Sequence, residues 1–173
     1  MNARPDATCA PAIERGAPAD LPDVAALADE IWRAYYPGIL SPGQIDYMLS
    51  RGYAPAALAR YAREPGAGFA FVRAEGARAG FACWHRYGAA TTKLDKLYVR
   101  TTLHGRGLGQ ALVAHVADAA RADGAATLVL NVNKGNAAAI AFYERVGFAT
   151  REAVVVDIGG GFVMDDYVMG LTL

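Results

Sequence analysis

Two segments of the chain place chemically able residues where a strand gives way to a helix. In LYVRTTLHGRGLGQALV, running from Leu97 to Val113, Gly105, Gly107 and Gly109 fall between a strand-like pattern and a helical one. Such a loop lets backbone N–H groups crowd around a phosphate at the positive N-terminus of the following helix, and Arg106 adds a cation. It is not a GxxxxGK(S/T) phosphate loop, because the Lys-Ser/Thr pair is missing. Nor is it a GxGxxG dinucleotide fingerprint, because Gln110 occupies the third glycine position. Phosphate cradling is the chemistry the spacing favours, and a plain glycine-rich turn is the alternative.

The second segment, LNVNKGNAAAIAFYERVGF from Leu130 to Phe148, holds Asn136 and Tyr143 seven residues apart. Two helical turns put them on one face about 10 Å from each other. A tyrosine with an ordinary pKa of about 10 is protonated at neutral pH and can donate a proton. The same ring would serve equally well as a core aromatic.

The elements that must carry these residues follow from periodicity and punctuation. A strand about Pro11 to Arg15 leads to a helix opened by Asp20, with Leu21, Val24, Ala25, Ala28 and Ile31 on one face and Pro37-Gly38 at its end. Ser41-Pro42 opens a short helix, and Pro55 starts another through about Arg63. The period then changes to two, giving antiparallel strands over Phe69 to Arg73, Ala79 to Tyr87 and Thr91 to Val99. A helix over Gly107 to Ala122 precedes a nearly continuous apolar strand, Ala126 to Val132, of the kind buried on both faces. Asn136 caps a helix that stops at Gly147, and two strands, about Ala149 to Asp157 and Gly161 to Leu171, finish the chain.

With 173 residues, 17 basic against 17 acidic side chains and 54% apolar residues, this pattern describes one domain over residues 10–173 after a tail of residues 1–9. Balanced charge removes the electrostatic case for non-specific nucleic-acid or anionic-membrane binding. Cys9 and Cys83 lie far apart, with no metal-ligand or redox spacing, so no metal site is expected. No signal sequence and no apolar run of membrane-spanning length is present, which predicts a cytoplasmic protein.

The pair HGRGLG and NAAAIAFYERVGF, preceded by the strands LYV and TLVLNV, resembles the GNAT superfamily of N-acetyltransferases. The signature loop of that family is written R/Q-x-x-G-x-G/A. Here it becomes His104, Gly105, Arg106, Gly107, Leu108 and Gly109, with the first position departing from the pattern. The resemblance implies an α/β fold: a mixed, mostly antiparallel seven-stranded sheet with a splayed central parallel pair and helices on both faces. It implies acetyl-CoA in the gap between the strand ending at Val99 and the strand ending near Val132. The pantetheine arm would pair with the backbone of Leu97, Tyr98 and Val99, and the pyrophosphate would sit on the loop continuing through Gln110. Asn136 would lie near the cofactor, and Tyr143 would protonate the leaving thiolate.

An acceptor amine must be presented neutral. An aliphatic amine with a pKa near 10.4 lies about three units above physiological pH, a cost of roughly 4 kcal/mol. Asp95 is the first candidate base, directly or through water, and His85 the second. In ribosomal-protein-type N-terminal acetyltransferases a glutamate commonly holds the site that Asn131 fills here, and an amide is no base. The family walls its acceptor site with the first helices and last strands, which nominates Trp32, Tyr35, Tyr36, Asp165 and Tyr167, with Asp157 and Asp166 beside them. Strand alternation lets only one of Asp165 and Asp166 point inward. This layout is similar to bacterial PaiA-type spermidine/spermine enzymes, and aromatic faces with carboxylates suit a polyamine cation. The expected function is direct acetyl transfer from acetyl-CoA to a small primary amine, without a covalent enzyme intermediate. A peptide or protein N-acetyltransferase and a non-catalytic CoA-sensing module are the rivals. A homodimer is compatible with the pattern, and either core or cleft with Cys83 and Trp84.

Overall fold

Proline, serine and glycine punctuate the computed structural model, which describes residues 11–173, much as the sequence predicts. The expected tail 1–9, with Cys9, lies outside the described residues. Strand β1 spans Ala12–Arg15, followed by helices α1 (Leu21–Tyr35), α2 (Pro42–Gly52) and α3 (Pro55–Arg63). Strands β2 (Gly68–Ala74), β3 (Ala77–Gly88) and β4 (Thr91–Val99) lead to α4 (Leu108–Ala122), β5 (Thr127–Asn133), α5 (Ala137–Arg145), β6 (Ala149–Gly159) and β7 (Phe162–Thr172). Proline stands in the first turn of α1, α2 and α3, where its missing N–H costs nothing. The Ser41 side chain caps α2 by accepting from the Gln44 N–H at 3.2 Å. Asp20 does not cap α1 in this way. A 3-10 turn over Pro18–Asp20 turns its carboxylate back to the Ala17 N–H at 2.8 Å, and Arg78 holds its other oxygen. None of the helices among the described residues is long and apolar enough to cross a membrane.

The seven strands form one sheet in the order β1-β2-β3-β4-β5-β7-β6, antiparallel throughout except for β4 beside β5. That parallel pair is short: Thr91, Thr92 and Lys93 face Thr127, Leu128 and Val129, and the strands part beyond them. The far edge of β5 stays paired with β7 from Thr127↔Thr172 to Asn133↔Asp166, so β5 is held while β4 leaves. A bulge marks the departure. Cys83 lies opposite Lys96 and Trp84 opposite Leu94, which leaves Asp95 as the extra residue. A bulge of this kind increases twist and bends the strand that carries it.

Each face of the sheet has its own core. On one side α4 and α5 cover Val72, Trp84, Leu94, Leu128, Leu130 and Met169. On the other, α1, α2 and α3 cover Phe69, Phe71, Phe81 and Cys83. Cys83 and Trp84 are therefore both core, on opposite faces as alternation requires. The bulge breaks that alternation next door. Asp95 meets Tyr61 of α3, and Lys96 lies over the ring of Tyr53, so both project toward α2 and α3.

Candidate active site

The gap between the parting ends of β4 and β5 is a cleft of about 620 Å³. Leu97, Tyr98 and Val99 line it from β4, Asn131 and Val132 from β5, and Tyr143 from α5. From Leu94 onward the edge of β4 toward β5 has no strand partner, which leaves backbone groups facing the gap. His104 also lines it, with Nε2 2.9 Å from the Val99 carbonyl oxygen.

The glycine loop builds one end. Gly105 and Gly107 hold φ of +79° and +76°, and a side chain at either would meet nothing within 4 Å, so the loop borders open space. Gly107 opens α4 without a side chain to cap it, and the first intrahelical bond runs from Ala111 N–H to the Gly107 carbonyl. The N–H groups of Leu108, Gly109 and Gln110 thus have no helical partner at the positive end of the helix. This is a fit for a pyrophosphate, and the unpaired edge of β4 fits the amide-bearing arm of a coenzyme A. Arg106 does not join the cradle. Its guanidinium is exposed and bonds Glu75 on the β2–β3 turn at 2.6 Å. A cation does line the cleft at Arg145, the last residue of α5, where nothing in the local sequence marks it as a cleft residue.

Asn136 and Tyr143 sit at the two ends of α5. The Asn136 side-chain oxygen Oδ1 accepts from the Ala139 N–H at 3.1 Å, capping the helix, and from the Tyr35 hydroxyl at 2.7 Å. This one side chain therefore fixes the start of α5 against α1 across the cleft. Tyr143 is 8% exposed, its ring packed against Phe142 and Phe148 at 5.2 and 5.6 Å between centroids. Burial raises its hydroxyl pKa above the ordinary value, with the neighbouring Tyr36 and Tyr35 adding to the shift, so the proton stays on at any physiological pH.

Of the two candidate bases, Asp95 lines the cleft and His85 does not. His85 is buried on β3 opposite Lys93, with Nδ1 2.9 Å from the Arg86 carbonyl oxygen. Asp95 receives the Tyr61 hydroxyl and lies 3.5 Å from the Lys96 ammonium. Burial pushes its carboxyl up, but Lys96, the Tyr61 hydroxyl, Lys93 and His85 together hold it below the usual value. A carboxyl whose folded pKa is depressed adds stability above its unfolded pKa and loses it as pH falls through the folded one. Tyr61→Phe removes one of these supports and is expected to destabilise the fold by about 1.5–3 kcal/mol at neutral pH. Melting curves should show this difference shrinking in acid, where Asp95 is protonated in both proteins.

The nominated acceptor wall divides. Tyr35 and Tyr36 line the cleft, and burial pushes the Tyr36 hydroxyl up to about 12. Trp32 is 3% exposed and belongs to the core behind them, 4.5 Å from the Tyr36 ring and 5.6 Å from that of Tyr98. Asp165 is exposed and paired with Lys134, whose ammonium lies 5.5 Å from the Tyr167 ring. Tyr167 packs toward the α4–α5 core, so neither it nor Asp165 reaches the cleft wall. Their neighbour Asp166 takes the opposite, inward face. Asp157 is engaged locally, accepting from the Gly159 N–H at 2.8 Å.

Residues 24–148 match the family model described as the Acetyltransferase (GNAT) family. The chain belongs to that family. An uncharacterized N-acetyltransferase of Mycobacterium tuberculosis is 29% identical over 150 residues, covering 87% of this chain and 96% of its own. The streptothricin acetyltransferase of Streptomyces lavendulae is 42% identical over 83 residues, 47% of this chain and 43% of that protein. Among solved structures, the PaiA N-acetyltransferase of Thermoplasma acidophilum in complex with coenzyme A shares the fold. Its TM-score is 0.79 at 21% identity, over 95% of this chain and all of that one. This GNAT protein is an N-acetyltransferase, and acetyl-CoA is its acetyl donor. When bound, acetyl-CoA supplies the acetyl group as an activated thioester.

Proposed function

We propose that this enzyme transfers acetyl directly to a primary amine of a small cationic acceptor of the polyamine class. What supports this reading is the fastening of an early helix to the last two strands, the elements expected to wall the acceptor site. Helix α2 is fastened to the β6–β7 hairpin by the Tyr47 hydroxyl on the Ile158 carbonyl at 2.6 Å and the Gln44 amide on the Val163 carbonyl at 3.0 Å. The Tyr47 and Phe162 rings meet at the same seam, tilted by 45° with centroids 5.2 Å apart. An extended peptide needs an open groove there, whereas a small amine needs only a pocket walled by aromatic faces and carboxylates. Tyr35, Tyr36, Tyr98 and Asp95 provide such a wall.

In this reading the residues divide the work. The glycine loop, the β4 edge and the first N–H groups of α4 hold the donor, and Asn136 fixes α5 so that Tyr143 presents its proton at the leaving sulfur. Asp95, matched by Tyr61 and Lys96, acts through its charge, because a carboxyl held below its usual range is a weak proton acceptor. Loss of the amine proton is assisted by desolvation against Tyr36 and Tyr98. The test is a comparison of kcat/KM for spermidine, shorter diamines, a monoamine of equal length, streptothricin and an N-terminal peptide. Highest efficiency for a small polycation is the expected result, and acetylation of the peptide alone would overturn the reading.

A further inference from the structure

Among the described residues, three buried side-chain polar atoms have no hydrogen-bond partner: Trp32 Nε1, the Tyr53 hydroxyl oxygen and Asp166 Oδ1. All three belong to the side of the sheet that α1 and α2 cover. Trp32 and Tyr53 lie in that core. Asp166 is placed there by alternation, since the next residue, Tyr167, packs on the opposite one. The first two are donors, and only Asp166 offers an oxygen that can do nothing but accept once ionised. A buried carboxylate oxygen without a donor is costly and seldom left so in a folded protein.

The surroundings of Asp166 leave its Oδ1 without a protein donor. The carboxyl is 3% exposed, and its strand position lies directly opposite Asn133 of β5 and two residues from the level of Asn131. Asn131 is exposed and lines the cleft from β5, the strand that lies between the gap and the β7 strand of Asp166. The lysines nearest in charge are engaged elsewhere. Lys134 is paired with Asp165, and the Lys93 ammonium lies 5.5 Å from the Tyr87 ring. The other carboxylate on this face, Asp95, already has Tyr61 and Lys96. Burial raises the Asp166 pKa, with the Asp165 charge adding to it, against the pull of the Asn131 amide, Lys93 and Lys134.

We propose that Asp166 is the specificity-determining anchor of the acceptor site, and that an alkylammonium group entering past Asn131 donates to its open Oδ1. This rests on the small-amine reading above and adds to it the residue that recognises the cation. Its chemistry selects acceptors with a second positive nitrogen, which Asp166 holds while the first reacts.

Asp166→Asn tests the assignment with spermidine as the probe. A charge-assisted hydrogen bond in a buried setting predicts a rise in the spermidine KM of about 10- to 100-fold. The KM for acetyl-CoA should not change, and the melting temperature should hold or rise, because the substitution removes a buried charge whose Oδ1 has no donor. An unchanged spermidine KM on an active enzyme overturns the anchor alone. A rise in both KM values together with a lower melting temperature also overturns it, since that marks a residue with a purely structural role. A wild-type protein that neither acetylates nor binds any amine overturns the small-amine reading itself, an outcome distinct from the other two.

Discussion

Tyr143→Phe is expected to lower kcat about 100-fold, the effect of removing a general acid from a positioned site. The side chain is buried among Phe142 and Phe148, and a phenylalanine fills the same space. Among the described residues the Tyr143 hydroxyl makes no hydrogen bond to the protein, so its loss leaves no partner stranded and the melting temperature should not move. Acetyl-CoA affinity should also survive, because the glycine loop and the β4 edge lie on other elements. The pH profile carries a second signature. Burial raises the hydroxyl pKa, so the proton is present across and above the ordinary tyrosine range, and the wild-type rate should not fall on the alkaline side as pH passes 10. Stopped-flow or steady-state assays of CoA release on the two proteins check both points, and equal kcat values would remove Tyr143 as the acid.

Gly107→Asp is expected to weaken acetyl-CoA binding about 100-fold or more, through charge repulsion and competition for the same N–H groups. The residue stands at the opening of α4 with φ +76° and open space where a side chain would go. Aspartate tolerates this left-handed backbone better than most residues. Its carboxylate can reach the N–H groups of the first turn of α4, which turns a ligand site into an ordinary capped helix. The fold should therefore persist while the donor site is lost, a separation that calorimetric titration with CoA and a thermal melt read independently. Retained affinity would show that the loop does not hold the phosphates.

The element order, the strand pairing partners of the hairpins and the two ends of α5 were legible because local signals agree with the fold. Proline-opened helices, the alternation in β2 and β3, and an asparagine followed by a helical run each dictate one local structure. What the sequence hid depends on packing between distant elements. The segment TTKLDKLYV reads as simple alternation, which would send Lys96 to the α4 side, and only the pairing with β3 reveals the bulge at Asp95. Arg106 looked like a phosphate ligand beside two glycines, but Glu75, far away in sequence, claims it. Trp32 shares its helix face with Val24 and Ile31, and that periodicity already carried the signal for core over cleft. The choice between Asp165 and Asp166 was likewise decidable in principle. Tyr167 and Met169, two residues apart, both turn toward the α4–α5 core, which leaves Asp166 on the acceptor side.

The most direct test of the account is CoA release by the purified protein with acetyl-CoA and spermidine as the sole acceptor, acceptor-free hydrolysis subtracted and the amine product identified by mass spectrometry. The account predicts release that saturates with spermidine and is matched one for one by an N-acetylated polyamine. No release above hydrolysis with spermidine while acetyl-CoA still binds would contradict it.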